Sequence, residues 1–182
     1  MGLTLDAGIT TVHGKVFNFD RPEDTEPLDI TDIAIPLGNV CRFAGQLDEF
    51  YSVAQHCVNV SMIVPAELAF TALMHDTAEA FTNDIVTPLK HKVPVFKELE
   101  TRIEAEMAKR FGFQYPFPEE IHTADRQMLG LEMVYLRGMN AADWHHLDGY
   151  EFEHLKPLVD LTPWTPKMAR RNFLMRYKEL IN

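Results

Sequence analysis

His75 and Asp76 stand side by side, with His56 upstream and Asp125 far downstream in a chain of 182 residues. Two imidazoles and two carboxylates make a mixed nitrogen and oxygen donor set that suits a first-row divalent ion such as Mn, Co, Fe, Ni or Zn. Neighbouring side chains on a helix leave about 100° apart, so His75 and Asp76 can share an ion only if other helices complete the set. His56 and Asp125 are the completing donors. Four protein ligands leave an octahedral ion two open positions, one for water and one for a phosphoryl oxygen. A divalent ion of this kind lowers the pKa of water from about 15.7 toward 7. Glu79 follows His75 by four residues and Asp76 by three, which stacks it one turn away on the same face. There it can exchange protons with water or protonate a leaving oxygen. Asp84, at the end of Thr82-Asn83-Asp84, can orient the water or be the acid–base group itself, and spacing does not divide the two roles. The pattern points to metal-assisted hydrolysis. Phosphate monoesters demand such help, with accelerations of up to roughly 10²¹-fold.

The elements that must position these residues are mostly helical. Ile9 to Val12, a His13-Gly14 turn and Lys15 to Phe17 predict a hairpin within 8–18. Asp29 caps a helix over 30–40 that Pro36 should kink or split. Ser52 caps a second helix over 52–64, which carries His56. The apolar spacing of Leu68, Phe70, Ala72 and Leu73 predicts one helix over 66–81, bearing His75, Asp76 and Glu79. A loop with prolines at both ends follows over 82–94, then an amphipathic helix over 95–111 closed by Gly112. Pro116 and Pro118 introduce a long helix over 119–138 with Asp125 on it, and a last helix spans 165–180. The expected fold is an all-α bundle of five or six main helices with a small N-terminal hairpin. It forms one domain over 1–182, with its core over 29–140.

The bulk numbers exclude some partners. The net charge is −10, from 17 basic against 27 acidic residues, which argues against stable nucleic-acid binding through a basic face. An anionic substrate stays open, because a bound cation reverses the field locally. Cys41 and Cys57 form no C-x-x-C pair and read as reduced thiols of a cytoplasmic chain. The N-terminus has no secretory pattern, Gly2 is followed by Asp6 where myristoylation needs Ser or Thr, and no apolar run approaches a membrane span. Glu98, Glu100, Glu104 and Glu106, interleaved with Lys97, Arg102 and Lys109, read as a solvated helix face. His145-His146 lacks a carboxylate frame and reads as surface. Asp148-Gly149-Tyr150 carries a glycine-tyrosine element without its surrounding motif.

His56, the run His75-Asp76-Thr77-Ala78-Glu79-Ala80, Asn83-Asp84 and Ala124-Asp125 together resemble the H…HD…D signature of the HD-domain phosphohydrolases. Three further segments, Val40-Cys41-Arg42-Phe43, Tyr51 to His56 and Thr82 to Lys90, are similar to the subgroup of bacterial 5′-deoxynucleotidases and phage dATP triphosphohydrolases. Gly8-Ile9-Thr10-Thr11 and Gly14-Lys15 resemble the phage-type members, and the resemblance covers about 29–125 best. It implies an HD-domain bundle with metal ligation by His56, His75, Asp76 and Asp125. It gives the water and proton work to Glu79 and Asp84. It implies a phosphate grip by Arg42 with Lys90 as a second cation, and a nucleotide pocket lined by Thr87 and Pro88. Phe43 stands where related deoxynucleotidases often place Trp. The cofactor implied is one Zn, Co or Mn ion, with an additional Mg on a triphosphate. The expected substrate is dATP or another dNTP, giving a deoxynucleoside and triphosphate, with dNMP hydrolysis as the alternative. A non-catalytic regulatory module has no need of Glu79, and an HD nuclease on single strands fits the acidic balance poorly. The resemblance further implies a homo-oligomer, dimer or hexamer, in the cytoplasm (the host's, if phage-encoded).

Overall fold

Asp29 starts the bundle as its side chain predicts. In the computed structural model, which describes residues 7–147 and 149–182, it caps helix α1 (Ile30–Asn39) by accepting from the N–H groups of Thr31 and Asp32. Asp32 returns the bond to the Asp29 N–H at 3.0 Å, closing a capping box. The hairpin docks on this corner. Strands β1 (Gly8–Thr10) and β2 (Val16–Asn18) pair antiparallel with Ile9 opposite Phe17. The first is one residue shorter than predicted and the second is shifted by one, because residues 11–15 form the turn. From there Lys15 reaches Asp32 at 2.7 Å and His13 Nδ1 lies 2.7 Å from its other oxygen. Gly2, Asp6 and Asp148 lie outside the described residues.

Pro36 does not split α1, contrary to expectation. The helix runs unbroken to Asn39, and the Pro36 carbonyl still accepts from the Val40 N–H. Proline forfeits one intrahelical bond, a modest loss so near the helix end. Val40 and Val53 then close a loop, with Arg42 N–H bonded to the Tyr51 carbonyl and Val53 N–H to the Val40 carbonyl. Ser52 caps α2 (Val53–Ile63) through the Gln55 N–H.

Helix α2 is buried along most of its length and forms the axis of the domain. Val53, Ala54 and Cys57 enter a core with Phe17, Ile33, Leu37, Leu73, Met107 and Phe173. Val60 enters a second core with Ile121, Met128, Leu131 and Phe152. Burying one such Leu, Ile or Phe side chain contributes about 1.5–3 kcal/mol. The polar side of α2 is also saturated. Gln55 and Asn59 hold the backbone of Asp160, Thr162 and Trp164, at 2.8–3.1 Å for Asn59 and 2.9 Å for Gln55.

The single helix expected over 66–81 is three pieces, the first a short 3₁₀ turn over Ala66–Leu68. Helix α3 (Ala69–Met74) and helix α4 (Glu79–Thr82) flank a tight turn at residues 75–78. There the bonds close over three residues, with Glu79 N–H to Asp76 O at 3.0 Å and Ala80 N–H to Thr77 O at 3.2 Å. The loop expected over 82–94 contains one helical turn, α5 (Thr87–Lys90). Helix α6 (Pro94–Phe111) ends on Gly112 in the left-handed conformation, as expected. Helix α7 (Glu119–Arg137) and helix α8 (Pro166–Ile181) complete the bundle, with α8 packed on α1, α2 and α3. The all-α bundle with a small hairpin is therefore the observed architecture. The acidic face of α6 is not uniformly solvated, since Glu100 is buried and Glu104 and Glu106 are half-buried. Among the described residues no helix is long and apolar enough to cross a membrane.

Candidate active site

Three separate segments bring the four predicted donors together. His56 comes from the middle of α2, His75 and Asp76 from the tight turn after α3, and Asp125 from the second turn of α7. His56 Nε2 lies 3.0 Å from Asp125 Oδ1 and 3.7 Å from Asp76 Oδ2. His75 Nε2 lies 3.3 Å from Asp76 Oδ2 and 4.0 Å from Asp125 Oδ1. Both Nε2 atoms are buried, and neither makes a hydrogen bond. A buried polar atom without a partner is costly. Two of them beside two carboxylates form a place for a cation: His56, His75 and Asp125 offer atoms all within 4.8 Å of one another, with Asp76 next to both rings, and such donors fit a divalent metal. The Asp76 and Asp125 side chains are 20% and 41% exposed, so the cluster faces a mouth open to solvent.

The rings are oriented from behind. His75 Nδ1 donates to the Ala72 carbonyl at 2.7 Å, and His56 Nδ1 donates to Glu132 Oε1 at 2.7 Å. A carbonyl or carboxylate can only accept, so each Nδ1 carries a proton and each Nε2 is the end free to bind a metal. Burial and the Arg42 guanidinium oppose charge on His56, but Glu132 and Asp125 outweigh them and lift its pKa to about 9. Burial likewise works against the Asp125 carboxylate, yet His56, His75 and Arg42 hold its carboxyl well below the usual range.

Glu79 sits beside this cluster and is 5% exposed. The turn closes over three residues between Asp76 and Glu79, through the Glu79 N–H and the Asp76 carbonyl. Burial, with Asp76 and Asp84 nearby, pushes its carboxyl well above the ordinary range. Its Oε2 is buried without a partner, and its Oε1 lies 3.7 Å from Lys90 Nζ. A buried carboxyl with a free oxygen at the edge of the donor cluster can give and take a proton.

The other predicted residues are placed differently. Asp84 Oδ2 accepts the Phe43 N–H at 3.0 Å, so one of its oxygens holds the loop that carries Arg42. That loop is strained: Phe43 and Ala44 have φ of 57° and 51°, in the left-handed region. Arg42 does not pair with the nearby Asp48 or Glu49. Its Nε and Nη2 bind Glu132 Oε2 at 3.2 and 3.1 Å, and its Nη1 lies 3.7 Å from Asp76 Oδ2. Two guanidinium groups lie over the Phe43 ring, Arg42 at 5.4 Å and Arg137 at 5.7 Å from its centroid. Lys90 bonds to Glu100 at 2.6 Å. Thr87 and Pro88 are exposed at the start of α5. Cys57 is buried close to His75 and Asp76, and Cys41 is partly exposed, both as free thiols. His145 is exposed.

Glu132 is the residue that sequence reasoning missed. A lone acid between Leu131 and Met133 reads as a stray polar position. Its signal was the spacing of seven from Asp125, two turns along one face of a helix.

Comparisons with known proteins identify the family of the chain. The family model described as 5′-deoxynucleotidase YfbR-like matches residues 47–144, which contain all four donors and Glu79 but not Arg42 or Phe43. The chain is 38% identical over 172 residues to YfdR of Escherichia coli K12, an uncharacterized protein, with 94% of each chain covered. It is 31% identical over 174 residues to an uncharacterized protein of Rhodobacter capsulatus, covering 87% of this chain and 89% of the relative. The match lies on the 5′-deoxynucleotidase side of the resemblance, and none of these descriptions speaks of a phage-type triphosphohydrolase. A cluster of two histidines and two aspartates on a helical bundle, found within the matched segment, leads to one conclusion: the chain belongs to the YfbR-like 5′-deoxynucleotidase family of HD-domain phosphohydrolases, enzymes that use a divalent metal.

Proposed function

We propose that this protein hydrolyses the 5′-phosphate ester of a deoxynucleoside monophosphate, releasing the deoxynucleoside and phosphate. One observation carries the reading. Two buried imidazole nitrogens without a hydrogen-bond partner face two carboxylates, with the unpartnered Oε2 of Glu79 at their edge. His56, His75, Asp76 and Asp125 would hold the ion, with Zn, Co and Mn the metals that suit the donors. When bound, such an ion supplies Lewis-acid polarisation of the phosphoryl oxygen and an activated water. Arg42, fixed by Glu132, presents Nη1 toward the phosphate and neutralises charge as it develops there. Glu79 handles protons: as the buried acid it can give one to the departing 5′ oxygen. Lys90 stays within 3.7 Å of Glu79 and steadies its ionised form. Asp84 holds the Arg42–Phe43 loop in register through the Phe43 N–H.

A second reading is a dNTP triphosphohydrolase, acting on dATP or its analogues with an additional Mg on the triphosphate. It breaks the same bond. Arg137 favours it, since this second guanidinium over Phe43 borders a cavity of about 300 Å³ lined by Gly45 to Asp48. Positive charge beyond Arg42 suits a longer phosphate chain. Purified protein loaded with Mn, Co or Zn and given each dNMP and dNTP separates the two. Deoxynucleoside with phosphate from dNMPs supports the first, deoxynucleoside with intact triphosphate supports the second, and no turnover of any 5′-nucleotide removes both.

A further inference from the structure

Glu132 is a buried carboxylate with 0% exposure that serves two arms of the site at once. Its Oε1 takes the His56 Nδ1–H at 2.7 Å. Its Oε2 takes Arg42 through Nε at 3.2 Å and Nη2 at 3.1 Å. No other carboxylate among the described residues is hydrogen-bonded to either of these two atoms of Arg42, or to His56 Nδ1. We propose that Glu132 is a positioning residue that sets the His56 ring and the Arg42 guanidinium as one unit. This rests on the reading of the site as a metal-dependent phosphohydrolase.

The two halves of the role have different physics. On the His56 side, an acceptor at Nδ1 fixes the proton there and leaves Nε2 toward Asp76 and Asp125, which also makes the ring a stronger donor to a metal. On the Arg42 side, two of the three guanidinium nitrogens are engaged before a substrate arrives. The remaining Nη1 faces the His75-Asp76 turn, and the rotational freedom of a long side chain is already given up. Because one rigid carboxylate makes both attachments, the spacing between the metal-binding nitrogen and the phosphate-facing nitrogen is set by residue 132 on α7. Glutamine has one acceptor oxygen, so it can serve His56 or Arg42 but not both. Alanine serves neither.

The test uses metal-free protein titrated with Mn²⁺ by calorimetry, for the wild type, E132Q and E132A. Nitrogen NMR of the Zn-loaded proteins reads the His56 tautomer, and steady-state kinetics on a dNMP gives KM and kcat separately. E132A should bind Mn²⁺ about 10–100-fold more weakly and lose the single His56 tautomer. E132Q keeps the volume and should fold; either its Mn²⁺ affinity or its KM should move by about tenfold or more. Wild-type Mn²⁺ affinity, tautomer and KM in a folded E132Q would overturn the proposal, whether or not E132A folds. If the wild type turns over no nucleotide, the phosphohydrolase reading fails, while the Mn²⁺ titration and the tautomer still decide the part played by Glu132.

Discussion

Glu79 and Asp76 show how much a single side chain depends on what surrounds it. Glu79 is an acid among acids, buried and with one oxygen unpartnered, and burial with Asp76 and Asp84 nearby pushes its carboxyl up. Glu79→Gln should keep the metal and the fold and lower kcat by about 10²–10⁴-fold, read by steady-state kinetics alongside elemental analysis of the same sample. Asp125→Ala should do the opposite, dropping bound metal well below one per chain by the same elemental analysis, because His56 Nε2 loses the neighbour 3.0 Å away. The four donors were legible in the sequence because their residue types are uncommon in that order and a helical frame gives each a face. Glu132 was not, because nothing about a lone acid shows what lies across the core from it. Arg42 was legible as a residue of interest, but its partner lies 90 positions away, beyond any local pattern.

Among the elements, caps and breaks were the readable part: Asp29, Ser52, Gly112 and the prolines before α7 mark ends where the structure has them. The tight turn at 75–78 was not readable, since Asp76-Thr77-Ala78-Glu79 has ordinary helical composition and only tertiary packing shortens its bonds. Helix α7 shows packing deciding a residue choice. A Cβ at Gly130 would lie 2.5 Å from the Phe152 ring. Gly130→Ala should therefore destabilise the protein by about 1–3 kcal/mol despite the better helix propensity of alanine, as measured by urea unfolding. Helix α6 carries a pH signature. Burial, with Glu100 and Asp76 nearby, raises the Glu104 carboxyl from 4.5 to about 7. A raised carboxyl binds its proton more tightly in the folded state, so its contribution is full below about 4.5 and lost as pH rises through 7. In the metal-free protein, Glu104→Gln should flatten the fall in Tm between pH 5 and 8. The difference is expected to be a few degrees, since 1 kcal/mol moves Tm by about 2–4 °C at this chain length.

The whole molecule is acidic, at −10, yet its proposed substrate is an anion. The cations that could receive a phosphate are few and local: Arg42, Lys90, Arg137 and the metal. A metal bound there should therefore matter to stability as well as to chemistry, because it would satisfy two imidazoles and two carboxylates otherwise crowded together. At a free concentration 100 times its dissociation constant, an ion that binds only the folded chain adds about 2.7 kcal/mol. A scan of the protein with EDTA and then with excess Mn²⁺ should show Tm rise, and His56→Ala should abolish the rise.

The most direct measurement is anomalous scattering from a crystal of the metal-free protein soaked in Mn²⁺. The expected result is one peak per chain, within bonding distance of His56 Nε2, His75 Nε2, Asp76 and Asp125, next to the Glu79 carboxyl. A peak elsewhere, or none where those four side chains meet, would contradict the metal centre on which the proposed hydrolysis depends.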